Sequence, residues 1–241
     1  MRPTDRLVSA PDRDKLDIVL VHGAFGDGSH WRHIIPGLHR AGHRVMAAQN
    51  PLTSLADDVA NTRKLAEWMG GPTLLVGHSY GGAVITGAGH APNVVGLVYV
   101  AGFAPDEGEN LDNILAGADP PPGAASLGPA FDDDFLWHGQ DTFHDSFCRD
   151  LDDTESLVLA TTQRPLARRC FRDPAGEPAW RIKPSWYQVS TQDRMLRPES
   201  QRWMAERMHA RETIELDTSH ASFATRPHEI LELIVAAADS V

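Results

Sequence analysis

Cysteine is scarce in this chain, long apolar runs are missing, and positive charge is outnumbered. Each shortage removes a class of protein. Cys148 and Cys170 are the only cysteines in 241 residues, and neither belongs to a Cys-x-x-Cys pair. A disulfide framework is therefore not indicated, and two buried or half-buried thiols suit a reducing compartment. Lys and Arg number 22 against 33 Asp and Glu, a formal net charge of −11 at pH 7. A nucleic-acid binder would carry a basic face instead. The acidic residues are mostly dispersed, and the local peaks Asp132-Asp133-Asp134 and Asp152-Asp153 read as solvated loops. No run approaches the ~20 apolar residues of a membrane span. The opening stretch MRPTDRLVSAPDRDKLD is charged throughout and lacks an apolar h-region, so it does not read as a signal peptide, and a cytoplasmic protein is expected. Its first dozen residues read as a lead-in strand or a loose tail.

What is present is an alternation. LDIVLV (16–21) is a short apolar run rich in β-branched residues, as in a buried parallel strand. HWRHIIPGLHRAG (30–42) predicts a helix closing at Gly42, and HRVMAAQ (43–49) the next strand. Ser54 and Asp57 have capping-box spacing ahead of a helix over about 55–69. TLLVG (73–77), GGAVITGAG (81–89) and VVGLVYVAG (94–102) continue as strand, helix and strand, the last ending near 103–104. Such strand–helix alternation builds a right-handed parallel α/β sheet. The pattern breaks over about 106–182, where PDEGEN, ADPPPG and RDPAGEPA interrupt short helical stretches such as ESLVLATTQ. It resumes with a strand at 185–191, a helix at 198–208, the strand TIEL and a last helix at 227–237. The expectation is one α/β domain spanning 1–241, with about six strands flanked by helices and a helical cap inserted at 106–182.

The chemistry is carried by LLVGHSYGGAV (74–84). Gly77-His78-Ser79-Tyr80-Gly81 is a G-x-S-x-G pattern lying directly between an apolar strand and a helix. There a serine sits on a sharp turn with its hydroxyl raised, flanking side chains would collide, and Gly82 lets the helix pack closely. A serine needs a base, and the base needs a carboxylate to hold its tautomer. Of the histidines after Ser79, His220 in TIELDTSHASF follows the last strand and so reaches the edge of the sheet that carries Ser79. His209 and His228 bound helices and read as surface residues. His138 and His144 read as cap or solvent residues, one of which could face the pocket. For the acid, Asp193 in WYQVSTQDRMLRP follows a strand at the carboxyl edge, where α/β enzymes keep their sites. Asp106 or Glu107 is the rival, and Asp217 lies near His220 but along the same loop. An oxyanion hole needs two N–H donors. The amide of Tyr80 is one, and the loop VHGAFGDGSHW offers Ala24, or secondarily Phe25, as the other.

Other residues read more plainly. His30-x-x-His33 has the spacing of a metal pair but no third ligand nearby, so a surface helix face is expected and no metal. His39 and His43 read as helix-end and strand-start residues, His78 as packing beneath the serine, and Trp31 as a helix anchor. Phe25, Trp137 and Phe143 are the candidates for a substrate pocket, the last two alternatively forming the cap's own core together with Phe131 and Phe135.

At LVHGAF, VGHSYGG, STQDR and TSHASF the sequence resembles the α/β-hydrolase family, in the order oxyanion loop, nucleophile elbow, acid turn and histidine loop. The likeness covers all but the first fifteen residues and is weakest in the insertion. Within the family the chain resembles small bacterial esterases related to plant methylesterases and hydroxynitrile lyases. The resemblance implies a triad of Ser79, Asp193 and His220, oxyanion donors at Ala24 and Tyr80, no cofactor, and a carboxylic ester of a small molecule as substrate. It also implies a sheet shortened from eight strands. Ser79 stands where dehalogenases and epoxide hydrolases carry Asp. Gly23 and Ala221 stand where hydroxynitrile lyases carry Thr and Lys, which argues against lyase chemistry. A cofactor-free haloperoxidase shares the triad and remains an alternative, as does a receptor that kept the pocket. Oligomeric state is not readable.

Overall fold

The computed structural model describes residues 15–117 and 119–241. The lead-in read for the first dozen residues lies outside the described residues. The chain runs β1 (Asp17–Val21), a 3₁₀ turn (Gly28–His33), α1 (Ile35–Arg40), β2 (Arg44–Ala47), α2 (Leu55–Met69), β3 (Thr73–His78), α3 (Tyr80–Ala88) and β4 (Val94–Val100). The inserted segment holds α4 (Leu111–Ala116), β5 (Leu127–Pro129), β6 (Phe135–His138), α5 (Gln140–Phe147), α6 (Asp153–Thr161), β7 (Leu166–Ala167) and α7 (Arg169–Arg172). β8 (Ser185–Ser190), α8 (Pro198–Arg207), β9 (Glu212–Leu216), α9 (Ser222–Thr225) and α10 (Pro227–Asp239) follow.

The expected six-stranded sheet forms, in the order β2-β1-β3-β4-β8-β9 with every pairing parallel. Its inner strands β1, β3, β4 and β8 are buried on both faces, as expected of the centre of a parallel sheet, whereas the edge strands β2 and β9 are partly exposed. In β1, Val19 and Val21 join the core beneath α2 and α3, while Ile18 and Leu20 join the core with Trp31 and α10. Period-two alternation thus feeds two apolar layers from one strand. The Ser54 hydroxyl accepts the Asp57 N–H at the start of α2, and Gly70, at φ 77°, closes it.

Three local expectations shift. The helix read over 30–42 is a 3₁₀ turn followed by α1, because Pro36 has no N–H and is tolerated only in a first helical turn. β4 ends at Val100, since Ala101 turns to φ 42°. The insertion adds to its helices a small antiparallel sheet, β5-β6-β7, whose strands are too short for periodicity to register. β4 pairs directly with β8 in parallel, so the insertion leaves the sheet at the carboxyl edge of β4 and the chain re-enters the neighbouring strand from the amino edge.

No described helix is long and apolar enough to cross a membrane.

Candidate active site

Ser79 occupies the turn between β3 and α3 at φ 52°, ψ −122°. L-residues rarely adopt this conformation, and here it is held from both sides. The Ser79 N–H donates to the Val100 carbonyl at 3.1 Å, and its carbonyl accepts the N–H groups of Gly82 (2.9 Å) and Phe103 (3.0 Å). The neighbouring glycines are required by close approach. A Cβ on Gly77 would lie 2.4 Å from the Gly81 carbonyl oxygen, and one on Gly81 would lie 2.5 Å from that of Val21.

His220 follows β9 and Asp193 follows β8, so both emerge at the edge where Ser79 stands. His220 Nδ1 meets Asp193 Oδ2 at 2.6 Å, with both side chains buried. The remaining carboxylate capacity is filled by uncharged donors. Oδ1 accepts the amides of Met195 (2.7 Å) and Leu196 (2.9 Å), and Oδ2 also accepts Gln201 Nε2–H at 2.8 Å. The rival acids are elsewhere: Asp106 and Glu107 pair with Arg181, and the exposed Asp217 reaches Thr191. The loop of His220 is gripped by Asp150, from the insertion, whose Oδ2 accepts Thr218 Oγ1–H and the Ser219 N–H, each at 2.9 Å. These bonds hold the Asp150 carboxyl below its ordinary range against a rise from burial. His78 Nε2–H donates to the His220 carbonyl at 2.9 Å. His78 thus packs under the site, as expected, and also ties the elbow to the histidine loop. Burial lowers its pKa well below the ordinary value, keeping it neutral.

The loop after β1 faces Ser79. His22 Nδ1–H donates to the Gly23 carbonyl (2.9 Å), and its Nε2 accepts the Asn50 N–H (3.1 Å). This arrangement needs the neutral ring, and burial lowers its pKa to about 4. A Cβ on Gly23 would approach Ser79 Cβ to 3.0 Å, so the loop backbone lies against the serine. Phe25 takes φ 64°, and its carbonyl accepts the Arg164 N–H at 2.8 Å. Among the described residues, the amides of Ala24, Phe25 and Tyr80 donate no intramolecular hydrogen bond. Tyr80 also anchors the elbow: its buried hydroxyl donates to Asp58 Oδ2 at 2.6 Å, while Asp58 Oδ1 accepts the Leu52 N–H. Burial raises the Asp58 carboxyl above its ordinary pKa.

Ser79 and His220 open on one cavity, whose other lining residues are Ala24, Phe25, Phe103, Leu115, Pro121, Ala124, Leu127, Phe147, Phe171 and Met195. All ten are apolar, and six come from the insertion. Phe25 lines it as expected. Trp137 and Phe143 do not. Phe143 lies one layer behind, its ring stacked on Phe147 at 4.9 Å, and half-buried Trp137 pairs with exposed Phe131 at 5.7 Å. Phe147 is the aromatic that faces the site, its ring 5.1 Å from that of His220. A helix end in an irregular segment carries no sequence mark of the direction it faces, so Phe143 and Phe147 were indistinguishable.

His30 is corrected as well. It is buried, stacked on Phe223 at 5.1 Å, with its pKa lowered to about 3, whereas His33 faces Glu155 at 2.8 Å. The two therefore share no surface face. His138 is buried in the cap and held neutral, its pKa lowered to about 4. Its Nδ1–H donates to Ser126 Oγ, whose own proton is committed to the Gly123 carbonyl. Sequence reasoning missed Gln201, Asp150, Asp58 and His22. Only His22 had a signal, its place before Gly23 in the loop. Among the described residues, no group of three or more His, Cys, Asp or Glu could hold a metal ion.

A model described as the alpha/beta hydrolase family matches residues 18–233. The chain belongs to the alpha/beta hydrolase family. It is similar to a carbendazim hydrolyzing esterase of Nocardioides sp. (strain SG-4G), 34% identical over 119 residues, or 44% of this chain and 49% of the relative. The matched segment thus spans about half that relative's length. Among solved structures, a pyrethroid hydrolase from Sphingobium faniae JZ-2 superposes with a TM-score of 0.77 at 22% identity, covering 93% of this chain and 97% of that one. A methylesterase from Arabidopsis superposes with a TM-score of 0.79 at 16% identity, covering 94% and 100%. The expected likeness to plant methylesterases therefore holds at the level of the fold.

Proposed function

We propose that this alpha/beta hydrolase is a serine esterase acting through an acyl-enzyme. Ser79 is the nucleophile, His220 the base and Asp193 the carboxylate that holds the imidazole. His220 Nε2 takes the Ser79 proton as Oγ bonds to the ester carbonyl carbon. The carbonyl electron pair moves onto oxygen, where the Tyr80 and Ala24 amides stabilise it; one such donor is worth about 10²–10³ in rate. The intermediate collapses, the C–O bond to the alcohol breaks, and His220 returns the proton to the leaving oxygen. Water activated by the same nitrogen then cleaves the acyl-enzyme, releasing the acid and restoring Ser79. Through both halves Nδ1–H stays toward Asp193.

The observation that carries this reading is the buried 2.6 Å contact between Asp193 and His220 beside a serine held at positive φ. The inserted segment 106–182 acts as a cap on a single α/β-hydrolase domain, excluding water and strengthening the electrostatics beneath it. Its apolar contribution to the cavity supports an uncharged small-molecule ester as substrate. The names of the relatives, an esterase and a pyrethroid hydrolase, support ester hydrolysis.

The test is a panel of p-nitrophenyl esters, thioesters, lactones and amides, run beside Ser79→Ala and a fluorophosphonate probe. A burst of p-nitrophenol, ester preference and labelling confined to the wild type are expected. Labelling of Ser79→Ala at the wild-type rate would sink the assignment, and ligand binding without turnover would point to a receptor.

A further inference from the structure

We infer that Gln201 is a positioning residue for the Asp193–His220 pair, a role that rests on the serine-esterase reading above. Gln201 lies on α8 and is fully buried. Its amide is used on every side. Nε2 donates to Asp193 Oδ2 (2.8 Å) and to the Leu196 carbonyl (2.7 Å), and Oε1 accepts the Ser190 N–H at the end of β8 (2.9 Å). A flipped amide would set its oxygen against a carboxylate and a carbonyl, and its NH₂ against an N–H. The orientation is therefore determined by the network.

The consequence is geometric. Oδ2 is the oxygen that meets His220 Nδ1. Oδ1 is pinned by two backbone amides of the acid turn, and Gln201 pins Oδ2 from a different element. The carboxylate plane is thereby fixed by two independent supports, and the direction in which His220 points follows from that plane. No cation lies within ion-pair distance of Asp193 among the described residues apart from His220. Among the described residues its carboxylate is supported by four hydrogen bonds, of which Gln201 supplies the only one from a side chain other than His220. A neutral donor is suited to this position. A cation there would compete with the imidazolium that forms in the transition state, and an apolar side chain would leave Oδ2 free to turn.

Gln201 does not line the cavity, so its loss should appear in kcat rather than KM. Gln201→Met, of similar length but with no donor, is expected to lower kcat about 10- to 100-fold with KM within twofold. Turnover is counted per site titrated to completion with fluorophosphonate, so that misfolded enzyme does not contribute. In an Asp193→Asn background the same change should cost less than threefold, because the interaction it removes is already lost. Gln201→Glu supplies a second readout. Protonated, the new acid donates to Oδ2 as the amide does; ionised, it repels Asp193. The titratable ring beside His220 is His78, 4.7 Å away and held neutral by burial, so it does not mimic this effect. The activity of Gln201→Glu relative to wild type should fall as pH rises, a trend absent in Gln201→Met. Unchanged kcat per titrated site in Gln201→Met, full additivity with Asp193→Asn, or Gln201→Glu tracking wild type at every pH would each overturn the role. If instead Ser79 fails to label and Asp193→Asn is harmless, the esterase reading itself falls.

Discussion

At the residue scale the proposed triad rests on a carboxylate supported by uncharged donors. Asp193 receives two backbone amides, a side-chain amide and His220. Replacing it by Asn keeps the shape but reverses the hydrogen-bond polarity toward Nδ1, which favours the wrong tautomer. Asp193→Asn is expected to lower kcat about 10⁴-fold, the scale found for such a change in serine proteases. Asp106→Asn should change kcat less than threefold, since Asp106 is engaged with Arg181; steady-state kinetics on one p-nitrophenyl ester rank the two. His22 acts on the other side of the serine. His22→Ala leaves the buried Asn50 N–H without its acceptor, and the Gly23 carbonyl keeps only the long 3.5 Å bond from the Gly26 N–H. A loss of about 1–3 kcal/mol per unpaired group is expected from urea unfolding.

At the scale of elements, the strand–turn–helix around Ser79 is as tight as backbone allows. In Gly81→Ala the added methyl would meet the Val21 and His22 carbonyl oxygens at 2.5 and 2.6 Å. Backbone cannot yield as a side-chain tip can, so β1 and α3 must separate. A destabilisation of about 3 kcal/mol or more, with loss of activity, is expected in thermal unfolding and ester assays. The cap works through α5. Phe147 faces the cavity, whereas Trp137 sits outside it against Phe131. Phe147→Ala is expected to shift the ratio of kcat/KM between long and short acyl esters toward the long ones, by threefold or more. Trp137→Ala should leave that ratio alone. The reverse result would move the acyl pocket toward the β5–β6 hairpin.

For the whole molecule, the buried histidines set a pH dependence. Burial lowers the pKa of His22 to about 4, of His30 to about 3 and of His138 to about 4, from an ordinary 6.5. Between about pH 4 and 6.5 the unfolded chain binds protons at these rings that the folded chain does not. Stability therefore rises with pH across that window and is fully present above it. The urea midpoint should fall steeply from pH 7 to pH 5 with little change in the denaturant slope. His138→Gln should flatten that fall, and a wild-type midpoint independent of pH over this range would refute the account. The carboxylates held low by their partners, such as Asp150, lose their contribution only at more acid pH.

The sequence by itself determined the parallel sheet and the elbow, and it pointed to Asp193 and His220, whose side chains stand 2.6 Å apart. These are local matters: β-branched apolar runs make buried strands, a serine among glycines needs a tight turn, and residues just after parallel strands fall on one edge. It left Asp106 as a rival to Asp193, because both follow strands that end at the same edge, and the tertiary structure sets Asp193 against His220 and Asp106 against Arg181. Only the tertiary structure decided what surrounds them. Phe147 rather than Phe143 faces the cavity because of the way α5 packs on His138 and His220, four residues apart on a helix whose seat the sequence does not encode locally. Asp58, Asp150 and Gln201 carry no distinguishing spacing. Their partners lie 5 to 69 residues away in the chain, and such contacts form as the layers pack and buried polar groups seek partners.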